Sequence, residues 1–139
     1  PQDGEEEIID WETFNQILEM DEEDDHEFSI SIMQNYFEQA VAKFKEMDAA
    51  LCKKDLASLS SLGHFLKGSS AALGIQKVQH SCERMQHYGK LRDEDAGTDL
   101  SPADALAKIS ALLAVVKVQH YAAEKWLKDY FKTKFGEEV

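Results

Sequence analysis

The sequence predicts an all-α protein, an up-down-up-down four-helix bundle over about residues 26–135 with a short N-terminal helix across one end. Apolar residues recur in steps of three and four over segments longer than a typical strand. They make up 43% of the 139-residue chain, which contains only two prolines to interrupt helices. A chain of this length suits one core, so we expect a single domain over residues 1–139.

The N-terminal segment is predicted to hold an acidic tail and one short helix. Residues 1–7 are polar and acidic, so we expect a flexible tail there. Asp10 is placed to cap a helix that begins at Trp11 and ends near Met20, since apolar residues follow it at helical spacing.

An acidic run at 21–25 precedes the first long helix. It lacks the glycine and the terminal glutamate of a 12-residue calcium loop, which favours a solvated linker with Asp24 or Asp25 at the start of the next helix. That helix is predicted over about 26–53. Its apolar positions alternate in steps of four and three, as in a helical bundle: Met33, Phe37, Ala40, Phe44, Met47 and Leu51.

Three further helices complete the bundle. Asp55 is placed to cap the third helix, and Gly74 to end it. A fourth helix is predicted over about 75–92, followed by a short acidic loop at 93–100. The last helix begins after a Ser-Pro pair suited to a helix start and continues to about Phe135, and its apolar positions keep the same alternation: Ile109, Leu113, Val116, His120, Ala123, Leu127 and Tyr130.

The net charge of −12 is concentrated at the N-terminal end. Fourteen of the 27 acidic residues precede the first basic residue, Lys43, and the remainder of the chain carries 13 acids against 15 bases. A surface of this sign repels nucleic-acid phosphates, which excludes DNA and RNA as partners.

The two cysteines and the apolar runs indicate the compartment. Cys52 and Cys82 are isolated at apolar positions of helical patterns, so we expect buried free thiols in a reducing environment. No apolar run approaches the roughly 20 residues needed to cross a bilayer, and no secretory leader or Arg-rich presequence is visible. We therefore expect a soluble, intracellular protein without a membrane partner. A closed bundle with one exposed reactive face favours a monomer.

The third helix carries one histidine in an unusual setting. At about 100° per residue, its apolar residues form one buried stripe: Leu59, Leu62, Leu66, Ser70 and Leu73. His64 lies about 160° from Leu66 by the same count and therefore points into solvent. Lys67 and Gly68, at i+3 and i+4, lie beside it on the helix surface.

These neighbours indicate a reactive site. Glycine within a helix lowers its stability by about 0.5–1 kcal/mol relative to alanine. Access for another molecule to His64 would explain why glycine is present at position 68. Lys67 places a positive charge where an anion would arrive. An exposed imidazole in this setting is suited to receive, in its neutral form, a phosphoryl group through Nε2. The alternative is an ordinary surface histidine on a helix of small residues.

The run from His64 to Gly74, His-Phe-Leu-Lys-Gly-Ser-Ser-Ala-Ala-Leu-Gly, resembles the signature of histidine-containing phosphotransfer (HPt) domains, most closely those of fungal osmosensing phosphorelays. The resemblance extends upstream to Ile9-Asp10-Trp11 and the acidic run, and downstream to Cys82-Glu83-Arg84 with Gln86. It fades in the loop at 93–100 and in the last helix.

The resemblance implies a phosphorelay intermediate in osmotic or oxidative stress signalling. Such proteins accept a phosphoryl group from the receiver domain of a hybrid sensor histidine kinase and pass it to the receiver of a downstream response regulator. The Mg²⁺ ion would belong to the partner receiver, and the expected location is the cytoplasm and nucleus. The resemblance also places Gln86 and a basic residue four positions later beside the histidine; this residue is often arginine in fungi and is Lys90 here, which lacks the planar fork.

The chain's own residues indicate a phosphoryl carrier without its own cofactor. It has no Gly-rich phosphate loop, kinase motif or convergent carboxylates for a metal, so we expect no ATPase, kinase or phosphatase activity. Ser69 is expected to support the site, its hydroxyl bonding to a carbonyl one turn earlier.

Partner docking is expected at Phe65, which the wheel makes half-exposed. Gly74 is included in the expected docking surface. Ile17 and Met20 either extend the patch or seal the end of the bundle.

Two other functions compete. His80, Glu83 and His87 share one helix face and could ligate zinc or iron, but this face points to water rather than to a cavity. The other alternative is a passive helical scaffold that binds proteins without chemistry. The presence of His64, Lys67 and Gly68 together argues against it.

Overall fold

The structure is a computed structural model and describes residues 8–139. Within these residues it contains five helices and one short hairpin: α1 (Trp11–Glu19), α2 (Glu27–Cys52), α3 (Leu56–Leu73), α4 (Gln76–Gly89), β1 (Arg92–Asp93), β2 (Thr98–Asp99) and α5 (Pro102–Phe135). The expected tail at 1–7 lies outside the described residues.

The four long helices form the predicted bundle. Each of α2, α3 and α4 packs against the next helix in the chain, and α5 returns to pack against α2, which confirms the up-down-up-down arrangement. The short α1 packs against α3, and the N–H of Asp10 donates to the carbonyl of Gly74 at 2.7 Å. An aromatic cluster, with Trp11 against Trp126 and Phe14 against Phe131, joins α1 to the C-terminal half of α5.

The predicted caps of three helices are confirmed. The carboxylates of Asp10 and Asp55 and the hydroxyl of Ser101 each accept a backbone N–H from the following turn at 3.1 Å. Gly74 and Gly136 end α3 and α5 in the left-handed conformation, with φ of 75° and 68°.

The segment before α2 is more ordered than a solvated linker. Asp25 accepts a backbone N–H at the start of α2 at 2.9 Å, as predicted for one of two aspartates. Asp21 contributes more: its carboxylate accepts from the backbone N–H of Ser29 at 2.8 Å and from the Ser29 hydroxyl at 2.6 Å, and it pairs with His26 at 3.2 Å. The acidic run is therefore partly folded onto α2.

The segment after α4 differs from the prediction. The helix ends at Gly89 rather than near 92, because Leu91 takes a left-handed conformation with φ 64°. The expected acidic loop contains the β1–β2 hairpin. The buried Asp93 carboxylate accepts the N–H of Ala96 at 3.1 Å and pairs with Lys108 of α5 at 3.3 Å, which ties the hairpin to the bundle.

The predicted buried stripe of α3 faces the core, with Leu62 only half-buried at its edge. The cysteines differ from each other. Cys82 is fully buried, and burial raises the pKa of its thiol to about 12. The expectation for Cys52 is wrong: it is exposed at the last residue of α2, where no neighbouring helix covers it. No helix within residues 8–139 is long and apolar enough to span a membrane.

Candidate functional site

His64 lies on the exposed face of α3, between two residues that face inward. Gly63 and Leu66 are buried, whereas the His64 side chain is exposed to solvent. The orientation predicted from the helical wheel is therefore confirmed.

The backbones of α3 and α4 pack closely against each other at two glycines. A Cβ at Gly63 would lie 2.8 Å from the Cys82 carbonyl oxygen and 3.0 Å from the Gln86 nitrogen. A Cβ at Gly89 would lie 2.7 Å from the carbonyl oxygen of Leu56. Sequence reasoning missed Gly63 as a contact residue, although two glycines on facing helices are a signal of close approach.

Lys67 and Gly68 lie three and four residues after His64 within α3, the spacing at which helical side chains are neighbours. A Cβ at Gly68 would meet no atom of the described chain within 4 Å beyond its own helix backbone and chain neighbours, so the approach over this position is open. Lys67 is half-buried, and its Nζ lies 3.9 Å from Glu83 Oε2 on α4. From the sequence, Glu83 was a candidate metal ligand and part of the family resemblance, and its pairing with Lys67 was not predicted.

Gln86 lies on the side of α4 that packs against α3. Its backbone carbonyl accepts a hydrogen bond from the Ser60 hydroxyl at 2.9 Å. Its side-chain Oε1 is buried and has no hydrogen-bond partner within residues 8–139. A buried amide oxygen without a partner costs free energy, about 1–3 kcal/mol, so a group that binds it in another state of the site would be favoured.

The two serines after Gly68 have different partners. The Ser69 hydroxyl donates to the Phe65 carbonyl at 3.4 Å, which is the predicted bond to the preceding turn. Ser70 instead faces the core and shares a 2.8 Å hydrogen bond with the Tyr36 hydroxyl of α2. Ser70 therefore anchors the buried face of α3, and a role for Ser69 at the site stays a prediction.

A family model described as the Hpt domain matches residues 31–118, which include His64 and all of α3 and α4. The chain belongs to the Hpt domain family. The family expected from the His64 to Gly74 signature is thus confirmed.

Curated relatives of this Hpt domain come from fungi. Multistep phosphorelay regulator 1 of Schizosaccharomyces pombe is 49% identical over 126 residues, covering 90% of this chain and 43% of the relative. Phosphorelay intermediate protein YPD1 of Saccharomyces cerevisiae is 46% identical over 85 residues, covering 60% of this chain and 50% of the relative. The chain thus spans half or less of the length of these relatives.

Solved structures show the same fold. The Saccharomyces cerevisiae histidine phosphotransfer signalling protein Ypd1, in a co-crystal with the receiver domain of its downstream response regulator Ssk1, matches with a TM-score of 0.81 and 31% identity. The match covers 90% of this chain and 95% of that chain. A triclinic form of the yeast protein matches with a TM-score of 0.78 and 30% identity.

Two residues expected at the docking surface of this Hpt domain are instead buried. Ile17 is 8% exposed and packs into the core, so of the two interpretations offered it seals the end of the bundle. Gly74 is also buried: a Cβ there would lie 2.8 Å from the Asp10 carbonyl oxygen, and its own carbonyl accepts the Asp10 N–H. Its inclusion in the docking surface is wrong, because α1 covers it.

Other apolar side chains remain exposed. Phe65 is 44% exposed, as the wheel predicted, with Lys43 Nζ 4.5 Å from its ring centroid. Met20 is 68% exposed after α1, and Phe28, which sequence reasoning missed, is 44% exposed at the start of α2. The sequence could have indicated that Phe28 is exposed, because it does not fall on the positions, three and four residues apart, that form the apolar face of α2.

Lys90 is exposed directly after the end of α4, as its C-terminal cap residue, rather than within the helix. Its predicted place beside the histidine stays a prediction.

The alternative metal face lines a shallow cleft. His80, Glu83 and His87 border a space of about 180 Å³ together with acidic residues of the hairpin. No group of three or more His, Cys, Asp or Glu side chains within residues 8–139 has the arrangement of a metal site. The metal interpretation therefore has no geometric support in this part of the chain.

Proposed function

We propose that this Hpt domain is a phosphorelay intermediate. His64 accepts a phosphoryl group from the receiver-domain aspartate of a hybrid sensor histidine kinase and passes it to the aspartate of a second response regulator. The observation that carries this proposal is an exposed imidazole with an open approach at Gly68 and a lysine one turn away. Membership of the Hpt family and the likeness to a phosphotransfer protein in complex with a receiver domain support it.

The transfer needs a lone pair on the attacking nitrogen. In the neutral imidazole with its proton on Nδ1, the Nε2 lone pair attacks phosphorus and the N–P bond forms. The P–O bond to the donor aspartate breaks, and the carboxylate leaves with the electron pair. The second transfer runs in the opposite sense, from Nε2 to the acceptor carboxylate, so the proton on Nδ1 remains in place throughout.

Positioning and charge supply most of the catalysis in such a reaction. We assign Lys67 to hold the incoming phosphoryl oxygens and Gly68 to keep their path open. The Oε1 of Gln86, which has no hydrogen-bond partner in the described part of the chain, is suited to accept a hydrogen bond from the imidazole N–H. Ser69 and Lys90 support the rim of the site.

The receiver partner supplies what the Hpt domain does not. Mg²⁺ and nucleotide chemistry belong to the receiver and its kinase, so this chain acts as a carrier rather than as an ATPase, kinase or phosphatase. Phe65, Met20 and Phe28 are assigned as apolar contacts for receivers, because exposed large apolar side chains are typical of interaction surfaces. We place the protein as a monomer in the cytoplasm and nucleus, relaying osmotic or oxidative stress.

The test is phosphoryl transfer from a phosphorylated receiver domain to the wild-type chain and to His64→Gln. We expect label on the wild type that is stable in base and lost in acid, which is the signature of a phosphohistidine, and no label on His64→Gln. The matched control is His80→Gln, which removes another exposed histidine and should retain full labelling.

Two results would contradict the proposal. The first is an unlabelled wild type with a receiver that phosphorylates another Hpt domain, which would leave a helical scaffold for protein binding. The second is label that persists in His64→Gln, which would move the site elsewhere. Hydrolysis of ATP by the purified chain would contradict the assignment as a carrier.

A further inference from the structure

Lys67 is shared between the site and an acidic residue of the neighbouring helix. On α3 it lies one turn beyond His64, where it faces the position of an incoming phosphoryl group. Across the helix pair, its Nζ lies 3.9 Å from Glu83 Oε2, and the Lys67 and Glu83 side chains are 26% and 51% exposed. The same ammonium group therefore has an anionic partner before any phosphoryl group arrives.

The surroundings leave Glu83 free to pair with Lys67. Arg84, its neighbour on α4, pairs instead with Asp95 of the hairpin turn at 2.9 Å. His80 and His87, at i−3 and i+4 from Glu83, line the same cleft. The hairpin acids that border the cleft would repel Glu83 rather than bind it.

An exposed ion pair of this length is weak and exchanges readily in water. A phosphoryl group carries up to two negative charges and would compete with the Glu83 carboxylate for the same ammonium group. The carboxylate also repels a dianion placed beside it. Both effects make phosphorylated His64 less stable than it would be without Glu83.

We propose that Glu83 is a positioning residue, which holds Lys67 in the unphosphorylated protein and competes with the phosphoryl group for it. This inference rests on the proposed function of His64. Glu83 then lowers the stability of the phosphohistidine relative to the aspartyl phosphate of a receiver, and so favours onward transfer over storage of the phosphoryl group.

The experiment measures the equilibrium constant for transfer between a phosphorylated receiver and the full chain at pH 8. Glu83→Gln should shift this constant at least threefold toward phosphohistidine. Lys67→Met should shift it in the opposite direction. In the Lys67→Met background, Glu83→Gln should change the constant by less than the threefold seen alone, because the competition for Lys67 is then absent and only the direct repulsion remains.

Two controls separate this effect from a general change in charge. Asp129→Asn removes a more exposed ion pair on α5, with Lys125 at 2.9 Å, and should leave the transfer constant unchanged. Raising the salt concentration from about 0.05 M to 0.5 M should reduce the effect of Glu83→Gln, since screening weakens exposed charges. A purely structural role for Glu83 would not produce this salt dependence.

The outcomes distinguish this inference from the proposed function. If the wild type is labelled at His64 but Glu83→Gln leaves the transfer constant unchanged, or shifts it equally with and without Lys67, the role of Glu83 is wrong and the relay stands. If neither a receiver nor phosphoramidate labels the wild type at His64, both proposals are wrong. A salt-sensitive shift that depends on Lys67 supports Glu83 as the positioning residue.

Discussion

The two faces of α3 each carry a glycine, and a side chain added at each would meet opposite surroundings. At Gly63, on the buried face, a Cβ would lie 2.8 Å from the Cys82 carbonyl oxygen and 3.0 Å from the Gln86 nitrogen, both on the backbone of α4. At Gly68, on the exposed face, it would meet no described atom within 4 Å outside its own helix and chain neighbours.

The two glycines therefore have different roles: Gly63 allows α3 and α4 to pack, whereas Gly68 leaves the approach to His64 open. Gly63 lets two helix backbones approach closely, which places α4 and its Gln86 beside the site. Gly68 makes no such contact, yet it destabilises its helix, as glycine in a helix interior does. A residue that weakens its helix without improving packing points to a role outside folding, and under the proposed function that role is the approach of a receiver to His64.

The largest expected effect is a loss of stability on substitution of Gly63, on the buried face of α3. Gly63→Ala forces a Cβ against backbone atoms that cannot rotate away, so we expect a loss of about 2 kcal/mol in the free energy of unfolding. Urea unfolding followed by circular dichroism measures it. A variant as stable as the wild type would show that α3 and α4 can separate at little cost, and would remove the contrast between the two glycines.

The next effect concerns Phe65, on the exposed side of the same helix. If its half-exposed ring is a docking anchor, Phe65→Ala weakens receiver binding by more than about 1 kcal/mol, as interface hot spots do. Isothermal titration with a receiver domain measures this change. Val118→Ala, which shortens a side chain 70% exposed on α5, is the matched control and should bind normally. Equal affinities for all three proteins would remove Phe65 from the interface.

A smaller effect of opposite sign is expected at Gly68. Gly68→Ala should raise the free energy of unfolding by about 0.5–1 kcal/mol, because alanine is the better helix former and nothing obstructs its Cβ. Gly68→Gln should retain part of this gain while slowing transfer from a receiver, since the longer side chain lies in the approach to His64. Urea unfolding and transfer kinetics on the same samples test both. A destabilised Gly68→Ala would mean that this face also packs against something.

The smallest expected effect is a pH dependence of stability that comes from His120, a buried residue of α5. His120 is 5% exposed among the rings of α2, including Tyr36, whose hydroxyl bonds Ser70 of α3. Burial lowers the pKa of His120, and the Glu124 carboxylate, 3.2 Å from Nε2, offsets part of this change. Protonation then favours the unfolded chain, which binds the proton more tightly.

The contribution of His120 to the free energy of unfolding should therefore be fully present above about pH 6.5, the ordinary histidine pKa. It should fall as the pH decreases toward the lower pKa that His120 has in the folded state. Thermal unfolding between pH 8 and 5 measures this dependence. His120→Gln should flatten this pH dependence. An identical pH dependence in His120→Gln would assign the effect to other groups.

Much of the fold could be predicted because helices are set by local signals. Apolar spacing and the caps at Asp10, Asp55, Ser101, Gly74 and Gly136 placed most helix ends within a residue or two. The exception is α4, which ends at Gly89: the left-handed turn at Leu91 and the hairpin that follows depend on Asp93 reaching Lys108 of α5. No local pattern reveals a contact made across the bundle.

The sequence by itself determined which way each side chain points from its own helix axis, because that angle follows from the residue number alone. It therefore predicted His64, Lys67, Gly68 and Phe65 on the exposed face of α3. Only the tertiary structure decided which surfaces a neighbour covers. Burial depends on elements distant in the chain. The helix α1 covers Gly74 and packs its own Ile17 into the core, whereas Cys52 stays exposed. The meeting of α3 with α4 brings Glu83 to Lys67 and buries the Gln86 amide oxygen.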